Sequence, residues 1–227
     1  MIVEDLQKRI INEEFKTTNK LPTEEKLIEE YQVSRNTIRS AIKILVNLGI
    51  IYPVQGSGML VRAPKRKGTV YLNSTLGVTM DNPGNNIENK LLKIEIIKAD
   101  LQLANQMNCK ISTPVYYLKR LRIVDGIPYA LERTYYNKEI VPYLGKEIAE
   151  KSIFNYLKED LKISFGFADK YLTAIKLSKN DSQLLGLNEN DPAIMVNDNI
   201  HLSNGQLFNT SNIIYNYQTT NFYSVAK

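Results

Sequence analysis

Three charged side chains in the second half of the chain have the types and spacing of an anion-binding site. Arg120 and Arg122 lie two residues apart, and Glu132 follows after the dipeptide Asp125-Gly126. In an extended strand, residues two apart share a face, so both guanidinium groups lie on one side. Guanidinium forks bind carboxylate or phosphate through paired hydrogen bonds, and a carboxylate accepts hydrogen bonds from hydroxyls or amines. These residues could therefore bind a small hydroxylated anion.

The position of Glu132 depends on the hairpin turn at Asp125-Gly126. A three-residue loop places even-numbered positions of both strands on one face and puts Glu132 beside the arginines, whereas a two-residue loop separates them. The alternative to a ligand site is an exposed cross-strand Arg/Glu pair, which contributes only a few tenths of a kcal/mol. Both interpretations stay open on the residues alone.

A second set of polar side chains stands at the start of a predicted helix with basic surroundings. Arg35, Asn36, Thr37 and Arg39 lie off the apolar stripe of SRNTIRSAIKILVNLG, near its N-terminus. Residues 31–67 hold seven Lys or Arg and no Asp or Glu, although the whole chain has a net charge of only +5. An acid-free basic span of this length is the electrostatic footprint of a protein that binds a polyanion.

The composition disfavours metal and nucleophilic catalysis. The 227 residues include one cysteine, Cys109, and one histidine, His201. This excludes an internal disulfide and a multi-cysteine zinc site, and no CxxC or HExxH motif is present. Ser-His and Cys-His nucleophile systems are disfavoured for the same reason. We therefore expect no metal and no cofactor, and we interpret Cys109 as a small, semi-buried side chain.

The beginning of the chain has the pattern of three helices. Apolar spacing predicts a first helix over residues 3 to about 15. Thr23 is a suitable N-cap for a second helix over about 23–31, whose first turn holds acids that favour the helix dipole. Ser34 caps a third helix with apolar residues at i, i+3, i+4 and i+7, and Gly49 ends it.

A small hairpin follows the third helix. IIYPV and MLVR read as short strands on either side of the turn Gln55, Gly56, Ser57 and Gly58. The glycines let the backbone approach a phosphate or a groove without a side-chain clash. The alternative interpretation as a nucleotide-binding loop is disfavoured, because no strand-to-helix context with GxGxxG surrounds the turn. Three helices and this hairpin predict a winged helix-turn-helix.

The rest of the chain predicts a separate domain. Residues 63–69, APKRKGT, combine proline, glycine and charge without periodicity and read as a linker between domains at 1–62 and 70–227. Beyond the linker, strand patterns and two long hairpins alternate with short helices, one of which starts at a Ser152 cap. Hairpins imply antiparallel pairing, so the predicted class is α+β, with a C-terminal antiparallel sheet.

The first domain resembles the winged helix-turn-helix of GntR-family transcription regulators. LPTEEKL, YQVSRNTIRSAIKILVNLGII and QGSGMLV carry the resemblance, over about residues 3–62. It implies that the start of the third helix approaches an operator and that the turn of the hairpin enters the groove beside it. One departure is NEEFKTTNKLP, where the family usually has a glycine-containing turn. The expected DNA contacts, with a linker lysine added, are Thr23, Ser34, Arg35, Asn36, Thr37, Arg39, Gln55, Gly56, Ser57, Gly58 and Lys65.

The second domain resembles the UTRA domain of the HutC branch of that family, whose fold is similar to chorismate lyase. R-x-R-x-x-D-G-x-P-x-x-x-E, SIFNYL and NGQLFNTSNIIY carry this resemblance, whereas STLGVTMDNPG matches the family's early ligand loop only loosely. It implies an effector-binding module. Many relatives have a second glutamate where Asn209 stands, which disfavours an amino sugar as the ligand. The expected effector contacts are Arg120, Arg122, Glu132, Ser152, Phe154, Asn209, Tyr215 and Thr79.

Together these features predict a metabolite-responsive transcription regulator, expected to be a repressor that binds a palindromic operator as a homodimer. The expected effector is a small anion, with a sugar phosphate favoured, that shifts the two domains away from half-site spacing. The alternatives are an architectural DNA-binding protein whose second domain only dimerises, and a lyase-like enzyme; we expect a protein that is not an enzyme.

The sequence also favours a cytoplasmic protein without a membrane partner. It has no apolar run near the roughly 20 residues that a membrane helix needs. Its first residues, MIVEDLQKRI, carry acids where a signal peptide has a basic and then apolar leader.

Overall fold

Three helices and a hairpin open the chain in the computed structural model. The structure describes residues 2–62, 68–74, 82 and 84–226. The first elements are α1 (Ile2–Ile11), α2 (Glu24–Tyr31), α3 (Arg35–Asn47), β1 (Ile51–Val54), β2 (Gly58–Val61) and β3 (Thr69–Tyr71). The side chains of Thr23 and Ser34 accept hydrogen bonds from backbone N–H groups in the first turns of α2 and α3. The first backbone N–H groups of a helix have no carbonyl partner within it, and the two side chains supply that partner. Both predicted N-caps are therefore confirmed.

The first helix is shorter than the sequence pattern predicted. α1 ends at Ile11 rather than near Phe15, and Glu13 adopts a left-handed backbone with φ of 59° in the turn that follows. Phe15 is nevertheless buried, and the guanidinium of Arg9 lies 5.2 Å from the centre of its ring. The apolar spacing identified a true core residue but assigned it to the wrong element, because a turn can deliver the same side chain to the core.

One apolar core joins these elements. α3 contributes its stripe at the predicted spacing, and the hairpin closes the core from the other end of the helix. The buried members are Val3, Leu6, Phe15, Leu21, Leu27, Ile38, Ala41, Ile42, Leu45, Leu48, Ile50, Ile51, Val61 and Tyr71. Since the apolar stripe of α3 faces this core, the opposite side of its N-terminal turn is left at the surface.

A six-stranded antiparallel sheet forms the second unit, Asn85–Thr220. Its strands are β4 (Ile87–Lys98), β5 (Pro114–Val124), β6 (Ile127–Asn137), β7 (Phe165–Lys176), β8 (Pro192–Leu202) and β9 (Leu207–Tyr215). The order across the sheet is β4-β5-β6-β9-β8-β7, and every adjacent pair is antiparallel. The predicted α+β class is confirmed.

Short helices cover the two faces of the sheet. They are α4 (Leu101–Gln106), α5 (Lys146–Ala149), α6 (Ile153–Asn155), continued by a π-helical turn over Tyr156–Asp160, and α7 (Lys179–Leu185). α5 and α6 pack through Ala149 and Ile153 on the face that carries Leu118 and Tyr136. α7 packs on the opposite face, where Leu185 joins a different apolar cluster. No helix in the described part of the chain is long and apolar enough to cross a membrane.

The hairpin between β5 and β6 determines whether Glu132 lies on the same face as Arg120 and Arg122. The turn has two residues, Asp125 and Gly126, both at positive φ, as the tight turn of a hairpin requires. A bulge follows: Ile123 pairs with Pro128 but Arg122 pairs with Ala130, so Tyr129 is the extra residue. This bulge shifts the register by one residue and aligns Arg120 with Glu132. The expectation that a two-residue turn separates the charges was wrong, because it left out the bulge.

The last described strand of the chain belongs to the first unit. β10 (Asn221–Tyr223) pairs in parallel with β3, so that Tyr223 lies opposite Tyr71. Their rings meet edge to face with centroids 6.0 Å apart, and Tyr223 packs against the core of the first unit. The structure thus groups Asn221–Lys227 with Met1–Gly84. The sequence had assigned Thr69 to the linker and the chain's last residues to the second domain, since a three-residue strand is too short to show a period.

Candidate functional site

The predicted DNA-contact residues of α3 form one exposed surface. Ser34, Arg35, Asn36, Thr37 and Arg39 all lie at the surface, on the first turns of the helix. Ser34 is bound within this surface, because its hydroxyl contacts both the backbone N–H and the hydroxyl of Thr37, at 3.2 and 2.9 Å. The serine therefore fixes the helix start, and the longer side chains around it are available for contacts.

Two acids of α2 hold the arginines of this surface. Arg35 Nη2 lies 3.4 Å from Glu25 Oε1, and Arg39 Nε lies 2.9 Å from Glu24 Oε2. Both guanidinium side chains remain more than half exposed. Exposed ion pairs of this kind contribute little free energy, so exchanging them for phosphate or base contacts is inexpensive. Both arginines therefore remain available to other partners.

The turn of the β1–β2 hairpin is a second exposed element. Residues Gln55, Gly56, Ser57 and Gly58 are all exposed. Gly56 and Gly58 adopt φ of 74° and 87°, which side chains with a Cβ rarely tolerate, and nothing lies within 4 Å of a Cβ built on either. The turn is thus both tight and open on its outer side. Lys65, predicted as a backbone contact, lies outside the described residues.

The second predicted site is a buried ionic cluster on the sheet face beneath α5 and α6. Arg120 Nη2 donates to both carboxylate oxygens of Glu132, at 2.9 and 2.8 Å. Arg122 Nη1 reaches Glu132 Oε2 at 3.4 Å. Only 2% of Arg120 and 7% of Arg122 and Glu132 is exposed. The interpretation of these charges as an exposed cross-strand pair was therefore wrong.

The charges of the cluster depend on one another. Burial alone would raise the pKa of Glu132, but the charges of Arg120 and Arg122, with hydrogen bonds from Arg120 and Thr134, lower it to about 2. Burial lowers the pKa of Arg122, and the neighbouring charge of Arg120 acts in the same direction. Two guanidinium groups and one carboxylate leave one net positive charge in a region of low dielectric constant, which favours an anion.

The two arginines of the cluster have different partners. Arg120 is engaged on both sides, because its Nη1 also donates to the backbone oxygen of Ala149 at the end of α5, at 3.0 Å. The Nε atoms of both arginines are buried without a hydrogen-bond partner among the described residues, but the terminal nitrogens of Arg122 make only the 3.4 Å contact to Glu132. A guanidinium is strongly destabilised when its donors are buried and unpaired. Arg122 is thus the better candidate for direct ligand binding, and Arg120 ties the cluster to α5.

Ser152 and Phe154 lie in the segment that Arg120 anchors. The hydroxyl of Ser152 accepts a hydrogen bond from the backbone N–H of Asn155 at 3.3 Å and so caps α6. Phe154 packs 5.5 Å from the ring of Phe165 and belongs to the apolar cluster under α5 and α6. Phe154 therefore packs in the apolar cluster beside the charged residues. Ser152 follows Ala149, whose backbone oxygen Arg120 contacts, by three residues.

Asn209 and Tyr215 lie on the same sheet face, in β9. Asn209 is almost fully buried and donates from Nδ2 to the backbone oxygen of Tyr135 at 3.1 Å. Tyr215 pairs with Ala130, which in turn pairs with Arg122, so it shares a row with that arginine. Its ring meets that of Tyr129 edge to face at 5.8 Å. Thr79 lies outside the described residues.

Two family models match this chain in the same two parts. The model of the bacterial regulatory proteins of the gntR family matches residues 1–61, and the UTRA domain model matches residues 83–220, which is more than half of the chain. The chain belongs to the GntR family. Its first unit is the DNA-binding helix-turn-helix of that family, and the six-stranded sheet is the UTRA domain.

Similar proteins place this GntR-family chain among transcription regulators. The HTH-type transcriptional regulator YydK of Bacillus subtilis is 34% identical over 97% of this chain and 94% of its own length. The crystal structure of YydK matches with a TM-score of 0.78 at 31% identity, covering 100% of both chains. The mannosyl-D-glycerate transport/metabolism system repressor MngR of Escherichia coli is 25% identical, over 100% of this chain and 94% of MngR. The histidine utilization repressor of Pseudomonas putida is 21% identical over 83% and 75%, consistent with the HutC branch.

The UTRA domain also contains polar residues that the sequence interpretation missed. Thr134 donates to Glu132 at 2.8 Å and contacts the hydroxyl of Ser211 at 3.1 Å, and Ser211 lies 3.4 Å from Asn209 Oδ1. These contacts link the ionic cluster to β9. The sequence does contain a signal for them. Glu132 and Thr134, like Asn209 and Ser211, are two residues apart in a strand, which places each pair on one face of the sheet.

An open groove lies along β4 of the UTRA domain. Asn89 and Leu91 are the register partners of Arg122 and Arg120, and Asn89 Nδ2 donates to the backbone oxygen of Lys151 at 3.2 Å. The groove has a volume of about 690 Å³. Its lining residues are Asn86, Ile87, Glu88, Asn89, Lys90, Leu91 and Glu150. Asn89 and Leu91 thus belong both to this groove and to the rows of Arg122 and Arg120.

Proposed function

We propose that this GntR-family regulator is a repressor that binds a palindromic operator as a homodimer in the cytoplasm and is released by a small anionic effector. A sugar phosphate is the favoured class of effector, and a carboxylated sugar is the next. The observation that carries the effector proposal is Arg122, a buried guanidinium with incompletely paired donors inside a cluster of net positive charge.

The DNA half of the proposal rests on the exposed start of α3. Arg35 and Arg39 are more than half exposed and lie at the helix end that helix-turn-helix proteins present to base edges. The glycine-rich turn of the hairpin offers backbone to a phosphate or the minor groove. A homodimer follows from the usual match between two-fold protein symmetry and a palindromic site.

The effector half rests on charge and on the relatives' names. An anion with two or more oxygens matches the planar fork of a guanidinium, and it would supply the partners that Arg122 lacks. Relatives such as MngR are named as repressors, and mannosyl-D-glycerate is itself an acidic sugar derivative. Both points support an acidic carbohydrate and leave its identity open to experiment.

Effector and operator binding are linked in this proposal through differential affinity. An effector that binds better to one domain arrangement shifts the population toward it, and by reciprocity the operator opposes that shift. Arg120 and Asn89 donate hydrogen bonds to the backbone of Ala149–Lys151, the segment of the UTRA domain next to the charges. We expect effector binding to change its position first.

The test starts with selection of genomic fragments by the purified protein at moderate salt. We expect a short palindrome to be enriched, and compounds of the pathway encoded beside it to lower operator affinity in a gel-shift assay. Arg122→Gln should raise the effector concentration needed for release at least tenfold and leave operator affinity in the absence of effector unchanged. Lys119→Gln is the matched control, because it lies on the same strand and the opposite face.

The alternative functions make different predictions. Retention that follows fragment length, without an enriched sequence, would favour the architectural protein. An architectural protein should have Arg120 and Arg122 exposed to solvent or at a dimer interface. Their burial within one chain counts against exposure to solvent. The lyase alternative is tested by incubating an effector with the protein and measuring turnover of the compound.

A further inference from the structure

A buried carboxylate lies on the same sheet face as the arginine cluster, two strands beyond Glu132. Asp198 on β8 pairs with Ser211, and Ser211 pairs with Thr134 on β6. On its other side Asp198 pairs with Lys170 on β7, which forms an ion pair with its Oδ2. A row of polar side chains, Thr134, Ser211, Asp198 and Lys170, therefore crosses four strands next to the row of Glu132.

Only one oxygen of this carboxylate is paired. Asp198 is 7% exposed, and its Oδ1 is buried without a hydrogen-bond donor among the residues that the structure describes. Burial raises the pKa of Asp198, although the charge of Lys170 opposes this. A buried acceptor without a donor is unfavourable, and such groups in native proteins are usually satisfied by a partner, a water or a ligand.

The polar row crosses an otherwise apolar layer. The sheet face around it carries Leu118, Tyr136, Ile200 and Phe208, which belong to one hydrophobic cluster. The hydroxyls of Thr134 and Ser211 join Glu132 to the vicinity of Asp198. On this face of the sheet, Arg122 on β5 has an unpaired donor, Nε, and Asp198 on β8 has an unpaired acceptor, Oδ1, among the described residues.

We propose that Asp198 is a second effector contact, which accepts a hydrogen bond from a hydroxyl or ammonium group of a ligand whose anionic group binds at Arg122. This rests on the proposed effector function and sharpens the ligand class. β5 and β8 are separated by three strand spacings, or about 14 Å, of which the long arginine side chain covers part. The ligand is therefore an extended, polyhydroxylated anion of disaccharide size rather than a single phosphorylated sugar ring.

The test compares two anions of different length on the full-length protein. Glucose 6-phosphate and cellobiose 6-phosphate are titrated by calorimetry into wild type, Asp198→Asn, Lys170→Met and Arg122→Gln. We expect wild type to bind the disaccharide phosphate at least tenfold more tightly than glucose 6-phosphate. Asp198→Asn should remove this preference and keep the affinity for glucose 6-phosphate, whereas Arg122→Gln should weaken both.

The outcomes separate the two proposals. If Asp198→Asn keeps the wild-type preference for the longer anion, the Asp198 contact is wrong while the anion site at Arg122 stands. If neither compound binds to wild type, the preference for sugar phosphates fails together with the contact built on it. Lys170→Met distinguishes structure from recognition: a purely structural ion pair would give both variants the same loss of melting temperature and no change in preference.

Discussion

The two arginine pairs of this protein stand in opposite environments. Arg35 and Arg39 are more than half exposed, and each pairs with one acid of the neighbouring helix. Arg120 and Arg122 are almost completely buried and share one carboxylate, Glu132. Exposed charges can exchange partners with little change in free energy, whereas buried charges depend on each other. The first pair is therefore suited to a large, charged partner, and the second to a small one that enters the protein.

Because one pair is exposed and the other is buried, replacements in the two pairs should affect different properties of the protein. Replacing an arginine on the surface of α3 should weaken DNA binding and leave the fold intact. Replacing Glu132, the carboxylate shared by the buried arginines, should affect the fold first, because both guanidinium groups lose their compensating charge. Unfolding and DNA binding can be measured side by side for variants of each pair.

The largest expected effect is that of Glu132→Gln. The change leaves the buried Arg120 and Arg122 without their shared carboxylate. We expect the free energy of unfolding to fall by about 3–5 kcal/mol, as when one partner of a buried ion pair is removed. Urea unfolding followed by circular dichroism measures it. Glu24→Gln, which removes an acid paired with a surface arginine, is the control, and equal losses in both variants would contradict the comparison.

Low pH should remove the contribution of ionised Glu132 to the free energy of unfolding. The pKa of Glu132 is lowered from 4.5 to about 2, so the unfolded chain takes up this proton first as the pH falls. The contribution is complete above about pH 4.5 and is lost between there and pH 2, on the order of 3 kcal/mol in total. The stability difference between wild type and Glu132→Gln should therefore shrink from pH 6 to pH 3. A difference that stays constant over this range would contradict the assignment.

The surface site could be predicted from the sequence because its signals are local. Ser34 as a cap, the stripe of α3 and the glycines of the hairpin turn each act within a few residues. Burial of the stripe then determines which side chains stay outside. The shape of the connection after α1 was missed, since the position of Phe15 in a turn depends on tertiary packing.

The buried site could be predicted only in part. The spacing of Arg120 and Arg122 placed them on one face, but the alignment with Glu132 depends on a bulge at Tyr129 that no residue type announces. Asp198 joins the same face only through the pairing of β8 with β9, which is a long-range contact. Alternating polar residues in β6 and β9 were a readable signal for Thr134 and Ser211.

A smaller effect is expected for the arginines of α3. Arg35→Ala and Arg39→Ala should each weaken binding to the selected operator by about 1–3 kcal/mol and relax its sequence preference. Lys65→Ala, at a position outside the described residues, should instead weaken all sequences alike and flatten the dependence of affinity on salt. Fluorescence anisotropy at several salt concentrations distinguishes the two. Unchanged operator affinity in all three variants would overturn the proposed docking surface.

The smallest expected effect concerns the acids that hold these arginines. Glu24 pairs with Arg39 at 2.9 Å, and DNA must replace this contact when the guanidinium binds a phosphate or a base. Glu24→Gln removes that competition and one negative charge near the DNA, so affinity should rise by about two- to threefold at low salt. The gain should be the same for operator and random DNA if it reflects charge alone. A loss of operator affinity would instead mean that Glu24 orients Arg39 for base recognition, and the exposed pair would then resemble the buried one in depending on its carboxylate.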